Sequence, residues 1–271
     1  MKIEDLIKNQ KQDGSFGAFH SMSKGNQITT EKALNRFFYL GLDKNNPVVE
    51  KTLSYVKKCF DGELEIPDRK EKVLQWDVFE KLMFGAWLVI FNVEHDRVKN
   101  LQLIWADIIR ESVKDGKFNV DLYKTNYQRS FGKLKSGQRV IDPTSFYMVN
   151  FLRNQLDEYT SMAYFEHIME KGIYYIYNKN LYELPKVFDN KNTIFYLLAI
   201  RFAASYARNG EKLNFVKRWL CDNLAQDGFW HMENVKTDGI IFPTSSSWRI
   251  KENKLNDINN FIKYQIIDKL P

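Results

Sequence analysis

Apolar residues recur along this chain at intervals of three and four, broken at near-regular distances by Asp-Gly or Lys-Gly, and they seldom alternate singly with polar ones. The pattern predicts helices and almost no strand. A short helix is expected over residues 1–10. Thr30 can cap a helix running to Gly41, and Asn46 with Pro47 starts another that stops at Asp61-Gly62. A third spans Lys70 to Phe91, with Leu74, Val78, Leu82 and Trp87 near one face, and Asp96 caps a fourth that ends at Asp115-Gly116. Asp142-Pro143 opens a helix to about Leu156, followed by Tyr159–Glu170 closed by Lys171-Gly172. Asp189 or Asn192 caps an apolar helix to Ala207. Glu211–Ala225 returns from it to Gln226-Asp227-Gly228, and Asn256–Lys269 is the last helix.

The stops at Asp13-Gly14, Asp61-Gly62, Asp115-Gly116, Lys171-Gly172 and Asp227-Gly228 lie roughly 50 residues apart, the period of a helical-hairpin repeat. A helix pair cannot bury its apolar face alone, so successive pairs must stack, as an open superhelix or a closed ring. Pairing the first helix with the last would seal the ring. The expectation is an all-α fold, an α/α-toroid of about five to six antiparallel helical hairpins, in one domain over residues 1–271.

Composition agrees with a packed core, since 44% of residues are apolar and 15% aromatic. A formal charge of +6 is compatible with an acidic partner, but lysines alternate with carboxylates along nearly every segment, and the densest basic runs, Lys51–Lys58 and Lys251–Lys263, sit on amphipathic helical patterns. Nucleic acid is therefore not the expected partner. Cys59 and Cys221 stand singly, which suits a reduced compartment. The charged first ten residues do not read as a signal peptide, and no stretch has the roughly 20 apolar residues of a membrane span, so a cytoplasmic protein is expected.

Gln10-Lys11-Gln12-Asp13-Gly14-Ser15-Phe16-Gly17 resembles the Q-x-x-D-G-S-W/F-G repeat of the terpenoid cyclase and protein prenyltransferase superfamily. Ala225-Gln226-Asp227-Gly228-Phe229-Trp230 resembles a second copy with Leu224 in place of the Gln, and Lys114-Asp115-Gly116-Lys117-Phe118 a degraded third with Ser112 there. The whole pattern is also similar to that of a group of bacterial proteins of this size. The resemblance implies an α/α-toroid and assigns the motif a fold-stabilising role. Physically, Asp-Gly ends a helix in a left-handed turn while the aromatic two residues on packs the turn, so Gly14 and Gly228 should have positive φ, and Phe16 and Trp230 should be buried.

The chemistry of the resembled enzymes is absent. There is no D-x-D-D run to protonate an alkene, no D-D-x-x-D run for magnesium and diphosphate, no Asp, Cys and His set at prenyltransferase spacing, and no Cys-His dipeptide as in lanthionine cyclases. No cofactor or metal is expected.

Weaker constellations remain. Asp77 and Glu80, three apart beside Trp76, can share a helix face as an acid–base pair or simply as a solvated face. His20 and His231 each follow a DG-aromatic turn and would be brought together by ring closure as metal ligands, but no third ligand is evident. Tyr174, Tyr175 and Tyr177 with Asn178 can stack on a sugar, line a pocket, or pack between hairpins. The polar run Pro243–Ser247 with Trp248 and Arg249 can present hydroxyls and a guanidinium to an anion, or fasten the last helix. The expected function is binding of a small apolar or peptide ligand in an aromatic-lined central cavity. The alternatives are an isoprenoid enzyme that has lost its motifs and a carbohydrate-active toroid, a glycosidase or lyase, with paired carboxylates.

Overall fold

A computed structural model describes residues 3–20, 28–207, 210–236 and 248–270. They hold eleven α-helices and one two-stranded hairpin. The chain divides into two compact units, Met1–His95 with Thr237–Lys254, and Asp96–Lys236 with Leu255–Pro271. No helix among the described residues is long and apolar enough to cross a membrane.

In the first unit α1 (Ile3–Asn9) leads into the Asp13-Gly14 turn, and α2 (Thr30–Tyr39), α3 (Pro47–Asp61) and α4 (Trp76–Ile90) follow. Helix α3 is read correctly from sequence. Asn46 caps its first turn by accepting from the Val48 amide, Pro47 takes the position where no amide is needed, and Gly62 ends it at φ 82°. Helix α2 is capped by Thr29, one residue before the expected Thr30. Helix α4 begins at Trp76, six residues later than expected, because the charged run before it buries only Leu74. From there it is apolar almost all round: Phe79, Leu82, Met83, Phe84, Trp87 and Leu88 are buried, each contributing roughly 1.5–3 kcal/mol of transfer free energy.

In the second unit α5 (Asp96–Arg110) stops well before Asp115-Gly116. That dipeptide is not a helix stop. Asp115 and Gly116 both have positive φ, 52° and 74°, and join β1 (Val113–Lys114) to β2 (Lys117–Phe118), with Val113 opposite Phe118. Two left-handed residues in succession make the turn whose twist suits a hairpin, and Asp-Gly adopts it as readily as it ends a helix. Helix α6 (Val120–Phe131) was not expected; Asn119 caps it through the Asp121 and Leu122 amides, and Tyr123, Asn126 and Tyr127 are buried on one face. Asp142 makes a turn with the Thr144 amide, and α7 (Phe146–Phe151) starts only after Ser145. Helix α8 (Glu158–Lys171) ends at Gly172, and α9 (Lys191–Ala204) is capped by Asn190, between the two residues expected. A 3₁₀ turn precedes α10 (Asn214–Asp222), and α11 (Lys251–Asn260) passes into a π-helical turn over Phe261–Ile266 that packs on α9.

Two of the three motif copies are the same turn bond for bond. In the first, Lys11 donates its amide to Ser15 O at 2.8 Å, Gly14 to Lys11 O at 3.0 Å, Ser15 to Asp13 Oδ1 at 2.9 Å, and Phe16 to the Thr30 hydroxyl at 3.0 Å. In the second, Ala225 donates to Phe229 O at 3.0 Å, Gly228 to Ala225 O at 2.9 Å, Phe229 to Asp227 Oδ1 at 3.1 Å, and Trp230 to the Asn259 side-chain oxygen at 2.8 Å. Both glycines have positive φ, 94° and 79°, and Phe16 and Trp230 are buried.

The copies differ in how tightly they are packed. The Gln10 amide group donates to Val48 O at 2.9 Å and the Thr52 hydroxyl at 2.8 Å, clamping the first turn to α3; Leu224, in the matching place, is exposed. A Cβ on Gly14 would fall 2.2 Å from Lys51 O, whereas one on Gly228 would meet nothing within 4 Å. Gly228→Ala should therefore cost about 1–2 kcal/mol, the strain of a left-handed alanine, and Gly14→Ala at least about twice that. Urea unfolding of the two variants measures both; equal losses would mean that the carbonyl contact does not constrain the first turn.

Candidate functional site

A chemically furnished surface of the first unit lies between the end of α3 and the start of α4. Beyond Gly62 the chain crosses a polar loop over residues 63–75 that has no helical period, and one residue fixes its middle. The Asp68 carboxylate accepts the backbone amides of Phe19 at 2.6 Å and His20 at 2.7 Å, tying the loop to the segment that follows the Gly14 turn. The loop then enters α4 at Trp76. Between loop and helices is a recess of about 120 Å³ lined by Cys59, Asp68, Trp76, Glu80, Lys81 and Phe84, with Glu65 and Lys70 also bordering it.

Each of these groups is conditioned by its position. Burial raises the Glu80 carboxyl above its ordinary value; the hydrogen bond from Trp76 and the charges of Lys81 and Lys70 oppose this, and Asp77 adds to it. Burial likewise pushes the Cys59 thiol up to about 11, with Tyr55 as its hydrogen-bond partner, so it stays a neutral thiol and a poor nucleophile near neutrality. The Lys81 ammonium bonds the carbonyl of Phe60, lies 3.4 Å from that of Cys59, and sits over the Phe60 ring, which places a positive charge on the C-terminal end of α3.

Next to the Asp68 anchor stands a second polar group. His20 Nδ1 lies 2.8 Å from Glu31 Oε2, and Glu31 Oε1 accepts the Trp87 indole N–H at 3.0 Å. Burial works against a charge on His20. The bond to Glu31 and its negative charge, with Glu71 and Asp68, more than offset that, and the imidazole pKa rises above its ordinary value.

Glu80 and Trp76 thus border the recess, whereas Asp77 is exposed and does not; the other carboxylates at its border are Asp68 and Glu65. His20 is held by Glu31, and His231 lies 2.9 Å from Asp227 in its own turn; among the described residues no group of three or more His, Cys, Asp or Glu is placed to hold a metal. The tyrosines belong to the second unit. Tyr177 packs edge-on against Tyr196, while Tyr174 and Tyr175 lie with centroids 4.2 Å apart and Arg139 donates to the Tyr174 hydroxyl at 3.4 Å. Trp248 is half-buried beneath the Lys254 ammonium and Arg249 is exposed; Pro243–Ser247 lies outside the described residues. Asp68 and Lys81 were not singled out from sequence, and Cys59 was marked only as an unpaired cysteine. Asp68 sits in an aperiodic charged loop where no spacing marks it.

No family model, no curated protein and no solved structure matches the chain. What the site does must be read from its own chemistry.

Two pH effects follow. Because folding raises the Glu80 pKa, its ionised form weighs against the folded state, so Glu80→Gln should melt higher than the parent at pH 7 and at the same temperature below about pH 4.5, where the carboxyl is protonated folded or unfolded. A lower melting temperature at pH 7 would mean that the carboxylate is paired. His20 has the same sign of shift, so the stability it adds is fully present below its ordinary value of 6.5 and is lost as pH rises through the higher folded value. His20→Gln should remove that slope from the pH dependence of the unfolding midpoint, and an unchanged slope would exclude the His20–Glu31 pair as its source.

Proposed function

We propose that this chain is a ligand-binding helical protein of the α/α-toroid kind, without the chemistry of the cyclases and prenyltransferases it resembles, and that the recess in its first unit receives one small polar group of a larger ligand. Support for the architecture is the mostly helical content and the DG-aromatic turn that recurs with the same four hydrogen bonds. Support for the site is the meeting of an aromatic wall, Trp76, with a half-buried carboxyl, Glu80, at an opening in the surface. Polar groups held where water is reduced give orientation and selectivity to a bound molecule.

Size points the same way. A recess of about 120 Å³ is well below the roughly 300–1,000 Å³ that encloses a drug-sized ligand, and suits a single side chain or sugar unit better than an isoprenoid. The large aromatics that would line a cyclase cavity, among them Trp87, Trp105, Tyr123 and Tyr164, are fully buried in packing. A second reading, acid–base chemistry on a glycan, is favoured by Glu80 alone, whose raised pKa suits a proton donor.

Ligand-observed NMR with a library of polar fragments tests the binding reading. Hits should weaken in Trp76→Leu and Glu80→Gln variants that retain the parent fold. Hits indifferent to both changes would move the site elsewhere, and metal-dependent release of pyrophosphate from an isoprenyl diphosphate would replace the reading with the isoprenoid one.

A further inference from the structure

We infer that the second unit carries a carbohydrate-binding surface, in which the rings of Tyr174 and Tyr175 take the apolar face of one neutral sugar unit while Arg139 and Asp142 take its hydroxyls. This surface is separate from the recess, and the inference does not rest on the recess binding anything. Behind it is a turn built at odds with its own backbone. Ile176 donates its amide to Ile173 O at 3.0 Å, closing a four-residue turn whose third residue, Tyr175, is left-handed at φ 77°. That position suits glycine, and a bulky side chain there is strained.

The surroundings hold the strain in place. Ile173 donates its amide to Tyr177 O at 2.9 Å and Tyr177 returns one to Ile173 O at 2.8 Å. The Tyr174 amide donates to Thr144 O and the Phe146 amide to Tyr174 O, both at 3.0 Å, and a Cβ on Gly172 would fall 2.1 Å from Tyr177 O. The turn is therefore fixed on all sides. Carrying tyrosine at its corner does little for the core, because Tyr175 is 43% exposed. Its ring stands edge-on to the buried Tyr147, with centroids 5.8 Å apart, and lies against Tyr174 at 4.2 Å with the planes 52° apart. Strain retained to hold an aromatic ring at the surface points to a use for that ring.

The side chains beside the rings select the class of ligand. Arg139 donates to the Tyr174 hydroxyl at 3.4 Å, and its guanidinium carbon lies 5.8 Å from the centre of that ring. Asp142 is fixed on the same segment: its Oδ1 accepts the Thr144 amide at 2.7 Å and the Thr144 hydroxyl at 2.9 Å, while Thr144 O in turn holds Tyr174. Among the described residues both bonds of Asp142 fall on Oδ1, and the residue is exposed, as Arg139 is. A fixed acceptor and a flat donor of opposite charge, next to an aromatic surface, suit an uncharged molecule with an apolar face and a rim of hydroxyls. A pyranose is such a molecule. Its C–H face carries slight positive charge toward the π electrons, and its neighbouring hydroxyls can meet a carboxylate or a guanidinium two at a time. An anionic ligand would instead be opposed by Asp142 and a cationic one by Arg139.

A printed array of neutral, acidic and amino glycans is probed with the full chain, and the best neutral binder and AMP are then titrated calorimetrically. Neutral glycans should be retained. Tyr175→Gly, which removes the ring and suits the turn, should fold as the parent does and lower their affinity by about tenfold or more. Arg139→Ala and Asp142→Asn should each lower it several-fold, whereas Tyr264→Ala, the loss of another exposed tyrosine, should leave it unchanged. Should Tyr175→Gly fail to fold by its melting curve, the Arg139→Ala result decides alone. An array on which no glycan binds, retention of acidic or amino glycans alone, AMP binding tighter than the sugar, or affinity indifferent to both Tyr175→Gly and Arg139→Ala overturns the inference. Fragments that still bind the recess in that event would leave the reading of the recess standing.

Discussion

The approach of the Gly14 Cα to the carbonyl of Lys51 is the contact on which the first unit's site depends. No residue with a Cβ fits there, since the added carbon would fall 2.2 Å from that oxygen. With the turn seated on α3 and clamped by Gln10, the chain leaves it in a fixed direction. Phe16 is tied to Thr30, and the amides of Phe19 and His20 then present themselves to Asp68. The wall of the recess is therefore set by backbone groups some fifty positions earlier in the chain (|i−j| of 49 and 48 for the two Asp68 bonds). A motif whose only evident role was to end a helix also positions a carboxylate.

This division explains what could be read from the sequence. Asn46-Pro47 and Asp61-Gly62 declare α3 because each supplies a local partner for a helix end, and the left-handed glycines at 14 and 228 follow from residue type alone. Asp115-Gly116 misled because the same dipeptide serves a helix end and a hairpin, and the choice between them is made by Val113 and Phe118 pairing across it. Helix α6 was hidden because its buried face is two tyrosines and an asparagine, which carry little apolar signal. Glu80 was legible from its spacing with Asp77, although Asp77 itself is exposed and does not border the recess; Asp68 was not, since the groups that anchor it include backbone amides, which any residue supplies.

Burial and ionisation compete throughout the recess, and the outcome differs by group. Cys59 stays neutral beside Tyr55, Lys81 finds two carbonyls, and Glu80 is left with an indole N–H and an unfavourable charge. A fold under selection for stability alone would place an uncharged residue at position 80. Retaining a carboxyl there is the kind of local conflict that accompanies a functional surface.

The end of the chain bears a different mark. Its buried side chains are Ile258, Phe261, Ile262, Ile266 and Leu270, and four of them, Ile258, Ile262, Ile266 and Leu270, are spaced by four. In a regular helix each step of four overshoots a full turn by about 40°, so three such steps would carry the last side chain roughly a third of a turn off the core. The π-helical turn over Phe261–Ile266 absorbs that drift by widening one turn. Lys263 and Tyr264 lie on its exposed side, and loss of either would convert the spacing to four, three and four, that of an ordinary amphipathic stripe. Seen this way the π-helical turn lodges one residue more than the buried stripe needs, at a place where the helix bulges toward solvent, so a one-residue deletion there would leave the side chains on either side of it facing the core.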